Sequence, residues 1–352
     1  MSVKSYAAFN EKDPLGPHKI QRRTKGSSDV VIDIEYCGVC HTDLHFARND
    51  WGISAYPVVP GHEIIGKVLD IGTEVSRFKK GDLVGVGCMV GSCQSCVACK
   101  EDLEQYCASG MVGTYGSTDP ISGGTTFGGY SESIVVDQNF VLSISEDLDA
   151  KSLAPLLCAG ITTYSPLKHW AVKPGDRVGV IGLGGLGHMG VKFAAAMGAE
   201  VVMITRSSEK AKDAKMLGAS EVLLSSDEKA MQANRASFDF LLNTIPVSHD
   251  LNPYVDLLKL DKTMCLVGCL NPLPDLSGMR LILRRRSVAG SVIGGIRQTQ
   301  EMLDFCAKKK ICCDVELIKM QDINKAYERM LKSDVKYRFV IDMKSLKDEN
   351  FH

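Results

Sequence analysis

The sequence predicts a two-domain α/β protein in which a mostly β domain is joined to a doubly wound parallel sheet, and three observations carry that prediction. The first half is rich in glycine and broken into short β-type runs by closely spaced turn residues. From Arg177 the texture changes, and compact apolar runs alternate with stretches of helical period, as in a parallel sheet covered by crossover helices. The first of those runs leads directly into a glycine-rich turn and a helix. At 352 residues and 45% hydrophobic, the chain is long enough for two ordinary domains.

Residues 30–36, 64–71, 83–86 and 133–136 read as strands of an irregular, mostly antiparallel sheet. The parallel sheet draws strands from 177–181, 201–205, 221–224, 238–243, 263–267 and 287–289, with helices over 186–197, 208–217 and 251–260. Beyond Ile296 come a helix at 298–308, a short strand, an amphipathic helix near 323–331 and an apolar run at 337–341. That is too little for a third core, so the tail should pack back onto the first domain. The expected division is therefore 1–159 with 297–352, and 160–296 between them.

Charge excludes several partners. With 41 Lys+Arg against 42 Asp+Glu, the net charge of −1 offers no basic footprint for nucleic acid and no polybasic membrane anchor. No apolar run reaches the ~18 residues of a spanning helix. The start of the chain lacks the plan of a signal peptide, so a cytoplasmic protein acting on a small molecule is expected. Thirteen cysteines in such a compartment point to metal ligands or catalytic thiolates rather than disulfides.

The strand at 178–181 runs into Gly182-Leu183-Gly184-Gly185-Leu186-Gly187, which has the G-x-G-x-x-G spacing and is followed at once by a helical segment. The first glycine makes the turn, the second lets backbone approach a pyrophosphate, and the third lets helix and strand pack closely. The helix N-terminus then faces the phosphates. The alternative is a glycine turn with no ligand. At the end of the second strand, where an acid would bind a ribose 2′-OH, the chain reads Thr205, Arg206, Ser207, Ser208, Glu209, Lys210. A guanidinium, hydroxyls and an ammonium suit a 2′-phosphate, so Thr205, Arg206, Ser207 and Lys210 predict NADP(H). A solvated helix start is the alternative.

Cys93, Cys96, Cys99 and Cys107 follow at x2, x2 and x7 spacing, a closed thiolate set suited to a structural zinc. An iron–sulfur cluster shares the first spacings but calls for x3 before the fourth cysteine and a proline after it, whereas Ala108 follows here. A second, dispersed group comprises Cys40 with His41, His62 with Glu63, and Cys158. Two cysteines and a histidine with an open fourth position make a catalytic zinc set, which the general zinc rules give for alcohol dehydrogenase. Spacing alone leaves Cys158 equally readable as a buried core thiol. The other seven cysteines, Cys37, Cys88, Cys265, Cys269, Cys306, Cys312 and Cys313, read as small buried hydrophobes.

With both clusters and the glycine turn in hand, the chain resembles the zinc-dependent medium-chain alcohol dehydrogenases, and within them the cinnamyl alcohol dehydrogenase branch. The resemblance runs nearly end to end. It rests on Cys37-Gly-Val-Cys-His-Thr-Asp-Leu-His45, Val59-Pro-Gly-His-Glu63, the four-cysteine lobe, Ala154-Pro-Leu-Leu-Cys-Ala-Gly-Ile-Thr-Thr-Tyr164 and the glycine turn. It implies a GroES-like catalytic domain built from both chain ends, a Rossmann domain between them, and a homodimer joined through the Rossmann sheet edges. It also implies that Cys40, His62 and Cys158 hold a catalytic zinc, that Glu63 approaches the metal during ligand exchange, and that Asp43 orients His62.

Thr42 and His45 match the family's proton relay, which runs through the cofactor ribose to water; imidazole, which exchanges protons near neutrality, suits the last station. His41 is assigned no catalytic duty. The implied reaction moves a hydride between NADP(H) and an aldehyde or primary alcohol, in the reducing direction because intracellular NADP is largely reduced. Trp51, Tyr56, Tyr115, Phe127 and Ile293 are candidates to line an apolar pocket for aromatic or medium aliphatic aldehydes. The rival readings are an NAD-dependent polyol or threonine dehydrogenase, against which the missing acid at Thr205 speaks, and a noncatalytic NADP-binding scaffold, against which Cys40, Thr42, His62, Glu63 and Cys158 together speak. The cofactor expectation is checked by kcat/KM with each nicotinamide: NADPH should be preferred, Thr205→Asp with Arg206→Ile should shift preference toward NADH, and equal use of the two by the native chain would refute it.

Overall fold

A strand of eleven residues, Asp29–Val39, organises the first of two compact units in the computed structural model, which describes residues 1–268 and 271–351. That unit comprises Met1–Cys158 with Gly294–His352, and the second comprises Ala159–Ile293. Along Asp29–Val39 the β-branched residues Val30, Ile32 and Ile34 alternate into the core, each fully buried. The strand pairs antiparallel with Ile64–Ile71, with Ser133–Asp137 and with Arg338–Asp342 from the end of the chain. Opposite Ile64–Ile71 the register shifts between Ile34 and Tyr36, after which Cys37, Gly38 and Val39 are all buried. The irregularity re-aims the strand end, and it delivers Cys40 to the interior as the N-cap of the helix His41–Ala47.

The tail contributes more than one sheet strand. Val315–Lys319 extends the sheet by pairing parallel with Arg338–Asp342. The helix Ile296–Lys309 buries Thr299, Met302, Leu303 and Cys306, and Ile323–Leu331 buries Ile323, Ala326, Tyr327 and Met330. Both sets follow the i, i+3, i+4, i+7 stripe that drives an amphipathic helix onto a core.

The second unit is a six-stranded, all-parallel sheet in the order Glu221–Leu224, Glu200–Thr205, Arg177–Ile181, Phe238–Asn243, Leu258–Leu266, Ser287–Gly290. Numbered within the unit this is 3-2-1-4-5-6, so the strand order reverses beside Arg177–Ile181, where doubly wound sheets bind ligands.

The expected helix over 251–260 is corrected. Only Asn252–Val255 forms a helical turn, and the chain is already a strand from Leu258, which pairs with Phe238. The run Leu257, Leu258, Lys259, Leu260 fits either period, and the sheet's need for a partner beside Phe238–Asn243 decides it. The expected helix at 208–217 is split into a 3₁₀ turn, Ser208–Lys210, and an α-helix, Ala211–Met216. A further helix, Ala159–His169, is absent from the sequence-based assignment because its first nine residues are all buried. It therefore carries no polar face to give a stripe.

Close packing of the first crossover sets one testable limit. A Cβ added at Gly187, the first residue of the helix Gly187–Ala196, would lie 1.9 Å from the carbonyl oxygen of Gly182. Gly187→Ala is expected to lower the unfolding free energy by about 3 kcal/mol, since rigid backbone is the obstacle; a denaturant midpoint equal to that of the native chain would contradict this packing.

Candidate metal centres and the nucleotide turn

Cys40, His62 with Glu63, and Cys158 come from three places in the chain, and one ligand atom from each of the four residues lies within 4.8 Å of the others, with all four residues buried. Cys40 stands at the end of the bent central strand, His62 and Glu63 precede the strand Ile64–Ile71, and Cys158 ends the 3₁₀ turn Ala154–Leu157. The two sulfurs are 3.9 Å apart. A tetrahedron of sulfurs about 2.3 Å from one zinc has an edge of about 3.8 Å, so the spacing fits a single ion.

Electrostatics point the same way. Hydrogen bonding with Cys158 holds the Cys40 thiol well below its ordinary pKa, ahead of the opposing effect of burial, and correspondingly raises that of Cys158. One proton shared between two sulfurs is what a dication would displace. Burial pushes the Glu63 carboxyl up to about 7 against the pull of Arg338, and its Oε2 is buried with no hydrogen-bond partner. A buried orphan oxygen beside two sulfurs and an imidazole is satisfied by a cation.

The imidazole of His62 is aimed from behind. Its Nδ1 is 3.1 Å from Oδ1 of Asp43, which leaves Nε2 for a metal. Burial would lower the His62 pKa, but the Asp43 carboxylate outweighs it and raises it well above the usual range. Asp43 itself is fully buried at the third position of the helix His41–Ala47, and it reaches back to the N–H of Cys40 at 2.8 Å.

Thr42 and His45 lie three residues apart on the same helix, hence on one face, and both are half-buried. His45 Nδ1 sits 2.7 Å from Asp50 Oδ2. An aromatic arc joins the two ends of this region: His62 packs against Tyr115, Tyr115 against Phe46, Phe46 against Trp51 and Trp51 against His45, with ring centroids 5.1–5.7 Å apart. Tyr56 spends its hydroxyl on the carbonyl of Ala47.

Cys93, Cys96, Cys99 and Cys107 also gather within 4.8 Å, with Cys93 and Cys99 sulfurs 4.0 Å apart. That is again the size of a shell around one ion rather than around a multi-iron cluster. Backbone N–H groups of Cys93, Cys96 and Ala108 point at the sulfurs of Cys107, Cys93 and Cys96 at 3.3–3.4 Å. Hydrogen bonds led by the backbone of Ser95 bring the Cys93 thiol down to about 5. The lobe is tied to the returning tail as well: Glu104 accepts the N–H of Ile296 at 3.0 Å, and Arg297 pairs with Asp102 at 2.7 Å.

In the second unit, Gly182 takes φ +93° and a Cβ at Gly184 would meet nothing within 4 Å, so backbone there is open to a ligand. Gly185 and Leu186 complete the turn before the helix Gly187–Ala196. Lys210 donates to the carbonyl of Leu183 at 3.0 Å, which carries its ammonium to the glycine turn. Thr205 is buried and accepts the N–H of Ser207, while Arg206 is exposed. These groups form a cradle of donors at one end of the sheet, suited to pyrophosphate and a further phosphate.

Sequence reasoning missed two residues of the first centre. Arg338 is buried and its guanidinium pairs with Glu63 Oε1; its signal was a lone cation in the otherwise apolar run 337–341. Tyr130, fully buried, reaches Asp43 and carried no signal of its own in the sequence. Of the cysteines expected as buried hydrophobes, Cys37, Cys265, Cys306 and Cys313 are buried, whereas Cys88 and Cys312 are only half-buried. Cys88 places its thiol 3.7 Å from the carbonyl of Leu157, beside Cys158. Cys269 lies outside the described residues.

Residues 26–146 match the family described as the alcohol dehydrogenase GroES-like domain, and residues 185–308 match the zinc-binding dehydrogenase family. The aldehyde reductase YahK of Escherichia coli K12 is 53% identical over 350 residues, covering 99% of this chain and 100% of that protein. Among solved structures, a cinnamyl alcohol dehydrogenase of Sorghum bicolor is 42% identical with a TM-score of 0.96, covering 100% of both chains. The CAD of Helicobacter pylori complexed with NADP(H) is 43% identical with a TM-score of 0.92, covering 98% of this chain and 99% of that one.

Metal analysis of the purified chain is expected to give two zinc atoms, and one or none would contradict the two centres. Zinc binding to the lobe must displace the protons its thiols still hold, above all that of Cys99, which is raised to about 11 while Cys93 is held down to about 5, so zinc retention should weaken as the pH is lowered. A chelator assay across acid pH reads that loss.

Proposed function

The chain belongs to the zinc-binding medium-chain alcohol dehydrogenases, in their cinnamyl alcohol dehydrogenase branch, and on that premise we propose that it is a zinc-dependent, NADP(H)-using enzyme that interconverts aldehydes and primary alcohols by hydride transfer. The observation that carries the reading is the buried group Cys40, His62, Glu63 and Cys158 with its unpartnered carboxylate oxygen. When bound there, zinc supplies Lewis-acid stabilisation of the negative oxygen that develops as a carbonyl accepts hydride.

The chain's own residues do the rest. Cys40, His62 and Cys158 would hold the ion, and Asp43 keeps the His62 ring in the tautomer that presents Nε2. Arg338 holds one oxygen of Glu63, and the other, which has no partner, would be available to a bound ion. Thr42 would offer its hydroxyl to the proton of the substrate oxygen, and His45, braced by Asp50 and half-exposed, would exchange a proton with water. Cys93, Cys96, Cys99 and Cys107 would hold a second, structural zinc. Gly182, Gly184, Gly185, Leu186 and Gly187 would hold a pyrophosphate, and Thr205, Arg206, Ser207 and Lys210 would supply donors to a 2′-phosphate.

Substrate class follows from the aromatic arc. Trp51, Phe46 and Tyr115 offer an apolar wall between His45 and His62, which supports aromatic or medium aliphatic aldehydes. The same reading makes the protein a cytoplasmic homodimer. Twelve described cysteines without a disulfide fit a reducing compartment, and no described helix is long and apolar enough to cross a membrane. Support for pairing through the sheet edge comes from Met279, Ile282 and Leu283, which are 68–79% exposed just before the edge strand Ser287–Gly290.

Thr42→Val, which removes only the hydroxyl, is expected to lower kcat at least about a hundredfold on an aldehyde panel with NADPH. Zinc content and cofactor binding should stay at native levels, and undiminished kcat would refute the relay.

A further inference from the structure

Four donors converge on the buried carboxylate of Asp43. Oδ1 accepts the backbone N–H of Gly61 at 3.0 Å and faces His62 Nδ1 at 3.1 Å; Oδ2 accepts the backbone N–H of Cys40 at 2.8 Å and the hydroxyl of Tyr130 at 3.4 Å. An ionised carboxylate offers about four acceptor sites, so the set is complete. Three of the donors sit on or next to a metal ligand. Tyr130 is the exception, because the loop that carries it supplies no ligand.

We propose that Tyr130 is a positioning residue for the catalytic zinc: its hydroxyl fixes the Asp43 carboxylate and, through it, the His62 imidazole. The proposal rests on the zinc reading of Cys40, His62 and Cys158. Its warrant is the way the phenol is held. The Tyr130 N–H donates to Pro60 at 2.9 Å, while Gly128 and Gly129 donate to Val59 and Gly61, each at 2.8 Å, so the loop is stitched to the segment that presents His62. Gly61 has φ +103°, and a Cβ there would lie 2.7 Å from the Tyr130 ring. The ring and the ligand loop therefore fit only as a pair.

From the other side, one guanidinium grips the loop. Arg22 donates to the carbonyls of Phe127, Gly128 and Ser133 at 2.5–2.8 Å and to the hydroxyl of Ser131 at 2.6 Å. Packing of the ring would be served equally by phenylalanine. A hydroxyl with no exposure must find an acceptor, and Asp43 Oδ2 accepts it at 3.4 Å, with the Tyr327 hydroxyl beside it. Without it, Oδ2 keeps one donor, the buried charge is less well satisfied, and its hold on His62 weakens.

The test is Tyr130→Phe, which removes one oxygen. Zinc affinity is measured by competition with a chromogenic chelator, and the visible spectrum is recorded after replacing the catalytic zinc with cobalt(II). One of two zinc atoms is expected to bind about tenfold more weakly, with an altered cobalt spectrum, while the four-cysteine zinc is unchanged. In an Asp43→Asn background the same change should cause no further weakening. Native affinity with a native cobalt spectrum in Tyr130→Phe would overturn the proposal, as would an undiminished tenfold loss in the Asp43→Asn background. A native chain that carries zinc only in the cysteine lobe would instead bring down the zinc reading itself, and this proposal with it.

Discussion

A carboxylate with no access to water must have its charge satisfied by the protein, and Asp43 is where this molecule meets that demand. Three of its four donors are the backbone of Cys40, the backbone of Gly61 and the ring of His62, so the same bonds that make the charge tolerable also bring two of the proposed metal ligands together. The helix His41–Ala47 begins where it does because Cys40 caps it and Asp43 bends back to the cap. Helix start, ligand placement and imidazole orientation are thus one event.

What was legible in the sequence was local. The cysteines of the lobe lie within fifteen residues, and the glycine turn sits between a strand and a helix, so spacing alone exposes the chemistry. Cys158 is different: its sulfur meets that of Cys40 across 118 positions of chain, and no periodicity encodes such a meeting. Arg338 reaches the same centre across 275 positions through sheet pairing, and Tyr130 across 87 through loop stitching. The fold follows the same rule. Stripes at helical period located Ile323–Leu331, whereas Ala159–His169, buried along most of its length, showed no stripe at all. Around Leu258, where both periods fit, the sheet's hydrogen bonding chose the strand.

The two cysteine-bearing centres differ in how they come into being. The lobe's backbone N–H groups already point at its sulfurs, so its geometry is specified within one short segment. The other centre requires the bent end of Asp29–Val39, the loop before Ile64–Ile71 and the turn Ala154–Leu157 to be in register at once. Closing those long separations is entropically costly before any ligand bond rewards it. The group of Cys40, His62 and Cys158 is accordingly a product of the finished sheet, while the four-cysteine lobe can help to build it.

Glu104 gives the lobe a reach beyond its own ion. By accepting the first N–H of the helix Ile296–Lys309, it puts a negative charge at the positive end of a fourteen-residue helix, and Asp102 adds a second beside it through Arg297. Those two acids stand between Cys99 and Cys107, so their placement depends on the sulfurs being gathered. Stripping the ion from the lobe would therefore fray the chain at its point of return, and an oxidant or chelator acting on an outlying loop would be felt in the anchoring of the whole C-terminal segment.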